Sequence, residues 1–226
     1  MALSLQDAKD HIDRVLGQYR GVTGSAPAPG LLPAAITSGK LYEAWVLCEV
    51  LDRLHNTEGY HVRLKNSAKV VLKTSGGPIN RAYPYFELTR ASRPPLEVWT
   101  DVQFRSLSHN GRGSPLPLQK GDHHELDVVV VPAATNGRPT HSEVILGVEC
   151  KNTGYTKDLL RSVLGVRREL SLLTDPKATR FSTWPRALVP ADPPSCLSVY
   201  STDPAIAAYS SPGAFFGIDF VHLPMP

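Results

Sequence analysis

Two apolar runs constrain this chain more than any other feature. The first, ELDVVVVP (Glu125–Pro132), sets four consecutive valines between acidic residues and a proline. Valine is stiff at χ1 and suits a pleated, packed surface, and proline cannot donate to a ladder, so the run predicts a strand that stops at Pro132. The second, SEVILGVECK (Ser142–Lys151), carries Val144, Ile145, Leu146 and Val148. AATNGRPT lies between them, and its Asn136-Gly137 marks a hairpin-type connection. A pair of core strands joined in this way sets up a sheet, and the runs around it supply the other layers.

Residues 5–19 place Leu5, Ala8, Ile12, Val15, Leu16 and Tyr19 near one helical face. GVTGSAPAPG (Gly21–Gly30) ends that helix, and residues 21–36 read as a linker. Thr37 or Ser38 caps a second helix, GKLYEAWVLCEVLDRLHN, whose Leu41, Trp45, Cys48, Leu51 and Leu54 follow a 3.6-residue period. YHVRLK and KVVLK read as short strands, and SGGPINRAYPYF as a turn-rich insertion. LEVWTDVQFRSL alternates Val98, Thr100, Val102 and Phe104 with Glu97, Trp99, Asp101 and Gln103, as a half-buried strand does. SHNGRGSPLPLQKGD is a loop. TKDLLRSVLGVRRELSLLTD is an amphipathic helix with Thr156 as its N-cap and Leu159 to Leu173 on its apolar face. A proline-rich loop, PRALVPADPPS, precedes two late strands, CLSVYST and FFGIDFVHL. The fold class is therefore α/β, with a mixed sheet flanked by helices. Residues 37–226 form a single domain with insertions near 75–93 and 106–122.

A chain of 226 residues with 42% hydrophobic and 20% charged residues packs a core and is not disordered. Its net charge of +3 permits an anionic partner without demanding one. Cys48, Cys150 and Cys196 are an odd set without metal-site spacing, which points to reduced thiols in a cytoplasm-like compartment. No apolar run approaches the roughly 20 residues that span a bilayer, so no membrane is expected.

The second core strand ends in Glu149-Cys150-Lys151. Side chains two apart on a strand share a face, so Glu149 and Lys151 point together and Cys150 points into the opposite layer. Asp127 opens the first strand, 149 − 127 = 22 residues earlier, which leaves room for one strand, one hairpin and the return. An in-register hairpin brings Asp127 alongside Glu149. Two carboxylates meeting on a sheet repel unless a cation sits between them. Oxygen ligands from Asp127 and Glu149, with the backbone carbonyl of Cys150, suit Mg²⁺ (or Mn²⁺ in its place). Lys151 beside such a site holds a water or stabilises charge developing on a phosphate.

ELD followed by VECK resembles the PD-(D/E)xK nuclease superfamily, the restriction-endonuclease-like fold, over roughly Gly39 to Thr202. The family core is a helix, a three-stranded meander, a second helix and a further strand. The resemblance implies Asp127, Glu149 and Lys151 as the catalytic trio, with Glu43 of GKLYEAW as a helix acid that completes the metal shell. The proline of the family name is absent, since Leu126 precedes Asp127. The implied activity is Mg²⁺-dependent endonucleolytic hydrolysis of DNA. RNA cleavage, or a degenerate domain that binds nucleic acid or protein without cutting, is the alternative. By analogy the setting is restriction or phage defence, with a homo-oligomer and a further regulatory or targeting protein as partners.

Other residues carry two readings. Glu43 is a metal acid or a solvated glutamate; Glu49, six residues on, is turned about 600° away. Asp101 is a weaker candidate, because water-facing strand positions often carry Asp. Glu125 shares the face of Asp127 and reads as an outer ligand or supporting group. His123 and His124 point to opposite sides of an extended chain, so they chelate poorly together; the stretch contacts a DNA phosphate, with His123 as the contact, or merely faces solvent. Lys157, Arg161 and Arg168 fall on one helical stripe that is either a solvated face or a line of phosphate contacts.

Overall fold

The computed structural model describes residues 5–20, 32, 36–67, 69–111 and 117–225. Most of the expected linker at 21–36, and residues 112–116 of the second insertion, lie outside these. Five α-helices are described: α1 (Leu5–Gln18), α2 (Ser38–Asn56), α3 (Leu107–Gly111), α4 (Lys157–Leu170) and α5 (Ser210–Phe216). The strands are β1 (His61–Lys65), β2 (Tyr85–Arg90), β3 (Arg93–Arg105), β4 (His123–Pro132), β5 (Leu146–Lys151), β6 (Leu172–Ala178), β7 (Leu188–Asp192), β8 (Cys196–Ser201) and β9 (Ile218–His222). Seven of them form one mixed sheet in the order β1-β2-β3-β4-β5-β8-β9. Neighbours are antiparallel from β1 to β5, while β5-β8 and β8-β9 are parallel. The molecule is thus α/β, with helices on both faces of a mixed sheet.

The valines of β4 show why the sheet needs two layers. Val128 and Val130 pack into a cluster with α1 and α2, while Val129 and Val131 pack into a second cluster with Val163 and Leu170 of α4. Burial of a large apolar side chain contributes about 1.5–3 kcal/mol, so a strand apolar on both faces is stable only between two such layers.

Helix α2 is buried nearly all round. Besides the stripe at Leu41, Cys48, Leu51 and Leu54, residues Tyr42, Ala44, Val46, Leu47 and Val50 are also buried, because α1 covers the side away from the sheet. Ala8, Ile12, Leu16 and Tyr19 supply that cover, so the apolar face of α1 is occupied by its own chain. Leu64 of β1 also donates its N–H to the carbonyl of Tyr19 at 2.8 Å. Thr37 is the N-cap of α2 and Thr156 that of α4; each accepts from the backbone N–H three residues on.

Several expected elements are placed differently. KVVLK forms no strand. The position beside β1 is taken by β2, which lies inside the segment read as an insertion: Phe86 and Leu88 are buried and pair with Leu64 and Val62. The amphipathic helix stops at Leu170, where Ser171 turns to extended backbone (φ −167°, ψ 157°). Leu173 therefore leaves the helix face and is exposed in β6. The proline-rich loop contains β7, which pairs with β6 in a separate two-stranded sheet. Pro176 and Pro190 both fall where that register shifts, the place where a strand tolerates a missing donor. Leu107–Gly111 is a short helix within the expected loop, and His141–Glu143 a 3₁₀ turn before β5. In FFGIDFVHL the first two phenylalanines, Phe215 and Phe216, belong to α5. Gly217, left-handed at φ +67°, ends that helix before β9.

The β6–β7 unit is pinned from a distance. Glu58, 1% exposed just past α2, accepts backbone N–H bonds from Ser182, Thr183 and Trp184 at 2.7, 2.6 and 2.7 Å.

Candidate metal centre

The β3–β4 register keeps one offset from Leu96↔Pro132 to Arg105↔His123, and its one gap, between Thr100↔Val128 and Val102↔Leu126, falls at Asp101 and Asp127. At that point both strands break their alternation. Trp99, Val102 and Phe104 all lie on the α4 side, as do Val129 and Leu126, so each strand turns two successive residues to the α2 side. Asp101 achieves this with a left-handed backbone, φ +53°, a conformation Asp tolerates better than most residues. A segment through residues 70–77 lies against the break. Val71 accepts from Thr100 Oγ1, Gly77 donates to the Asp101 carbonyl, and Gln103 donates to the Gly77 carbonyl at 2.8 Å.

Asp101 is consequently fully buried, where the alternation pattern had placed it toward water. Its Oδ2 accepts the backbone N–H of Lys73 at 2.8 Å and its Oδ1 accepts from Lys40 Nζ at 2.6 Å. Lys40, in the first turn of α2, donates equally to Glu43 Oε2 at 2.6 Å. Glu43, Asp101 and Asp127 each offer an oxygen within 4.8 Å of the others. Asp127 Oδ2 accepts the backbone N–H of Cys150 at 2.6 Å. The β4–β5 ladder ends at Val128↔Val148, and that carboxylate caps the opening between the two strands.

Glu149 stands apart from these three. Val148 and Cys150 pack on the α2 side, so Glu149 and Lys151 leave by the other face, and Lys151 Nζ donates to Glu149 Oε2 at 2.7 Å. The structure thus groups Glu43, Asp101 and Asp127, with Asp127 adjoining the Glu149–Lys151 pair through Cys150. Glu125 also lies nearby, with its carboxyl packed against Gly76, where a Cβ would collide with it.

Electrostatics favour a cation here. Burial pushes Glu43 up to about 7 against the pull of Lys40, with Asp127 and Asp101 raising it further. Burial likewise lifts Glu149 to about 7, with Lys151 opposing and Asp127 adding to the rise. Asp127 is raised by burial, partly countered by Lys151 and the Cys150 N–H. Burial alone lowers Lys40 and Lys151, but their carboxylate partners hold both above the usual lysine value. Lys73 is lowered by burial, with Asp101 and Glu125 opposing. Four carboxylates (Glu43, Asp101, Glu125 and Asp127) meet two lysines (Lys40 and Lys73), an excess of two negative charges when all are ionised, and the Glu149–Lys151 pair beyond them adds no net charge. Hard oxygen donors with that excess are groups that could hold a metal ion, and the Lys40 ammonium already stands between two of them.

The residues expected at nucleic acid are dispersed. Lys157, Arg161 and Arg168 are exposed on α4, and Arg161 pairs with Asp158 at 2.8 Å. Arg168 lies about 16 Å along the helix from Lys157. It borders a groove of about 510 Å³ with Leu164, Leu172, Pro190 and Phe216, none of which belongs to the acidic cluster. His123 Nδ1 lies 3.1 Å from the Gln119 carbonyl, four residues before Asp127. Cys48, Cys150 and Cys196 are free thiols; burial holds Cys150 well above the usual thiol value, which removes it as a nucleophile. Among the described residues no helix is long and apolar enough to cross a membrane. The chain matches no family model, curated protein or solved structure.

Sequence reasoning underrated Asp101 and passed over Lys40 and Lys73. The available signal was the spacing of LEVWTDVQF and ELDVVVV: an antiparallel pairing of the two valine-rich runs sets the acids opposite one another.

Proposed function

We propose that this chain is a divalent-metal-dependent endonuclease that hydrolyses phosphodiester bonds in DNA. The observation that carries the reading is the meeting of Asp101 and Asp127 across one ladder, with Glu43 above them and Glu149-x-Lys151 on the next strand. Element order supports it too: α2, the antiparallel β3-β4-β5, then α4 and β8 parallel to β5 follow the sequence of parts expected from the resemblance.

Glu43, Asp101 and Asp127 are the residues that would hold Mg²⁺ or Mn²⁺, with Glu149 and the Cys150 carbonyl beside them. A divalent ion, when bound, polarises the phosphate and acidifies a coordinated water. Lys151 presents an ammonium to the non-bridging phosphate oxygens, where negative charge grows during in-line attack. Glu149, raised to about 7, exchanges a proton near neutral pH and in this reading is the base that takes one from the attacking water. A second reading, a binding module that does not cut, is favoured by one observation: Lys40 already neutralises two of the acids.

Incubation of the purified chain with supercoiled plasmid tests the proposal. Nicking or linearisation should need Mg²⁺ or Mn²⁺, be weak in Ca²⁺ and be absent in EDTA. Equal cleavage in EDTA removes the metal assignment, and metal binding without cleavage leaves the binding module.

A further inference from the structure

Lys40 occupies an unusual place for a lysine. It lies in the first turn of α2, where the helix macrodipole disfavours a cation. Its side chain is only 19% exposed, which adds a desolvation cost. Its ammonium sits 2.6 Å from Glu43, one turn on in the same helix, and 2.6 Å from Asp101, a residue 61 positions away. Those two carboxylates are two of the three whose oxygens converge within 4.8 Å. A divalent ion in that space bonds oxygen at about 2.0–2.1 Å for Mg²⁺. Held by Glu43 and Asp101, it stands beside the ammonium with like charge, so the two repel one another across the carboxylates they share.

We infer that Lys40 is a tethered counter-ion that competes with the divalent metal for Glu43 and Asp101, so that metal entry requires the lysine side chain to swing out of the cluster. The inference rests on the metal reading of this site. Its consequence is quantitative. Only the fraction of molecules with Lys40 displaced can bind, and the apparent dissociation constant rises by the inverse of that fraction. A lysine suits the task because its flexible four-carbon stem can leave without moving the helix, which a rigid guanidinium fork does less readily. Lys40 thereby sets the metal concentration at which the site fills. It also keeps the buried acids neutralised before the site fills.

The test is calorimetric titration of the full chain with MnCl₂, comparing wild type with Lys40→Met, which keeps the length and removes the charge. The expected result is a dissociation constant about tenfold lower in the variant, the change that corresponds to a lysine displaced in roughly one molecule in ten. Measurable binding in both proteins with equal or weaker affinity in Lys40→Met overturns the inference and leaves the metal site standing. Absence of Mn²⁺ binding in both overturns the inference and the metal reading together. A measurement on wild type alone covers a variant that fails to fold. Acylation of lysines with an amine-reactive ester, read by mass spectrometry, should modify Lys40 slowly in EDTA and severalfold faster in saturating Mn²⁺, with exposed Lys120 as the internal reference. Unchanged labelling of Lys40 on Mn²⁺ binding overturns the inference.

Discussion

Asp101 and Asp127 face one another at the one gap in the β3–β4 register, between Thr100↔Val128 and Val102↔Leu126, each at the residue where its strand changes the face it presents. One carboxylate is anchored by the Lys73 N–H and the other by the Cys150 N–H, so the backbone fixes both independently of any metal. A buried acid and a half-buried one held this way are a stability cost that a cation relieves.

The backbone at Asp101 allows charge and conformation to be separated. Asp101→Asn keeps a residue tolerant of φ +53° and should leave the fold intact while abolishing Mn²⁺ binding by calorimetry. Asp101→Ala adds left-handed strain of about 1–2 kcal/mol, so its urea midpoint should fall below that of Asp101→Asn. Equal stability of the two variants contradicts the assigned strain.

Lys151→Ala should reduce plasmid cleavage by about 10²-fold or more, the magnitude typical of a lost charge-stabilising donor, with DNA retention in a gel shift largely kept. The fold tolerates the change because Lys151 is at a strand end and half-buried. Wild-type cleavage rates would show Lys151 to be a bystander.

Stability should fall with rising pH in the metal-free protein. Glu43 and Glu149 titrate near 7 when folded and near the ordinary glutamate value of 4.5 when unfolded. Between those values the native state binds more protons than the unfolded one, so unfolding free energy declines from about pH 4.5 to about 7 and then levels. Glu149→Gln should flatten the profile by about 1–3 kcal/mol across that window, and saturating Mn²⁺ should flatten it for wild type, because metal binds the ionised form. Thermal melts at pH 5 to 8 give the slopes; a wild-type slope of opposite sign refutes the assignment.

Glu58→Ala leaves three backbone N–H groups without their carboxylate and should cost about 2–3 kcal/mol in urea denaturation. Mn²⁺ affinity should stay unchanged, since Glu58 pins the β6–β7 unit and touches none of the acidic cluster. A loss of metal binding there would couple two regions that share no contact on this account.

What the sequence determined by itself was whatever local periodicity and capping encode. Four valines between Asp127 and Pro132 demand a buried strand. Thr37 and Thr156 cap their helices because a threonine oxygen at an extended residue just before a helix bonds the N–H three residues on. The apolar stripe of α1 announced a buried face, but only the tertiary structure assigned that face to α2 of the same chain. The same division explains the site. Glu149 and Lys151 were legible because two-residue spacing on a strand is a local rule. Asp101 was not, since its alternation pattern pointed to water until residues 70–77 covered that face and a left-handed φ turned it inward. Nor was Lys40, whose partner lies 61 residues away. Register across a ladder and the position of a crossing segment are long-range contacts. They follow from how all the strands close together, and no window of the chain contains them.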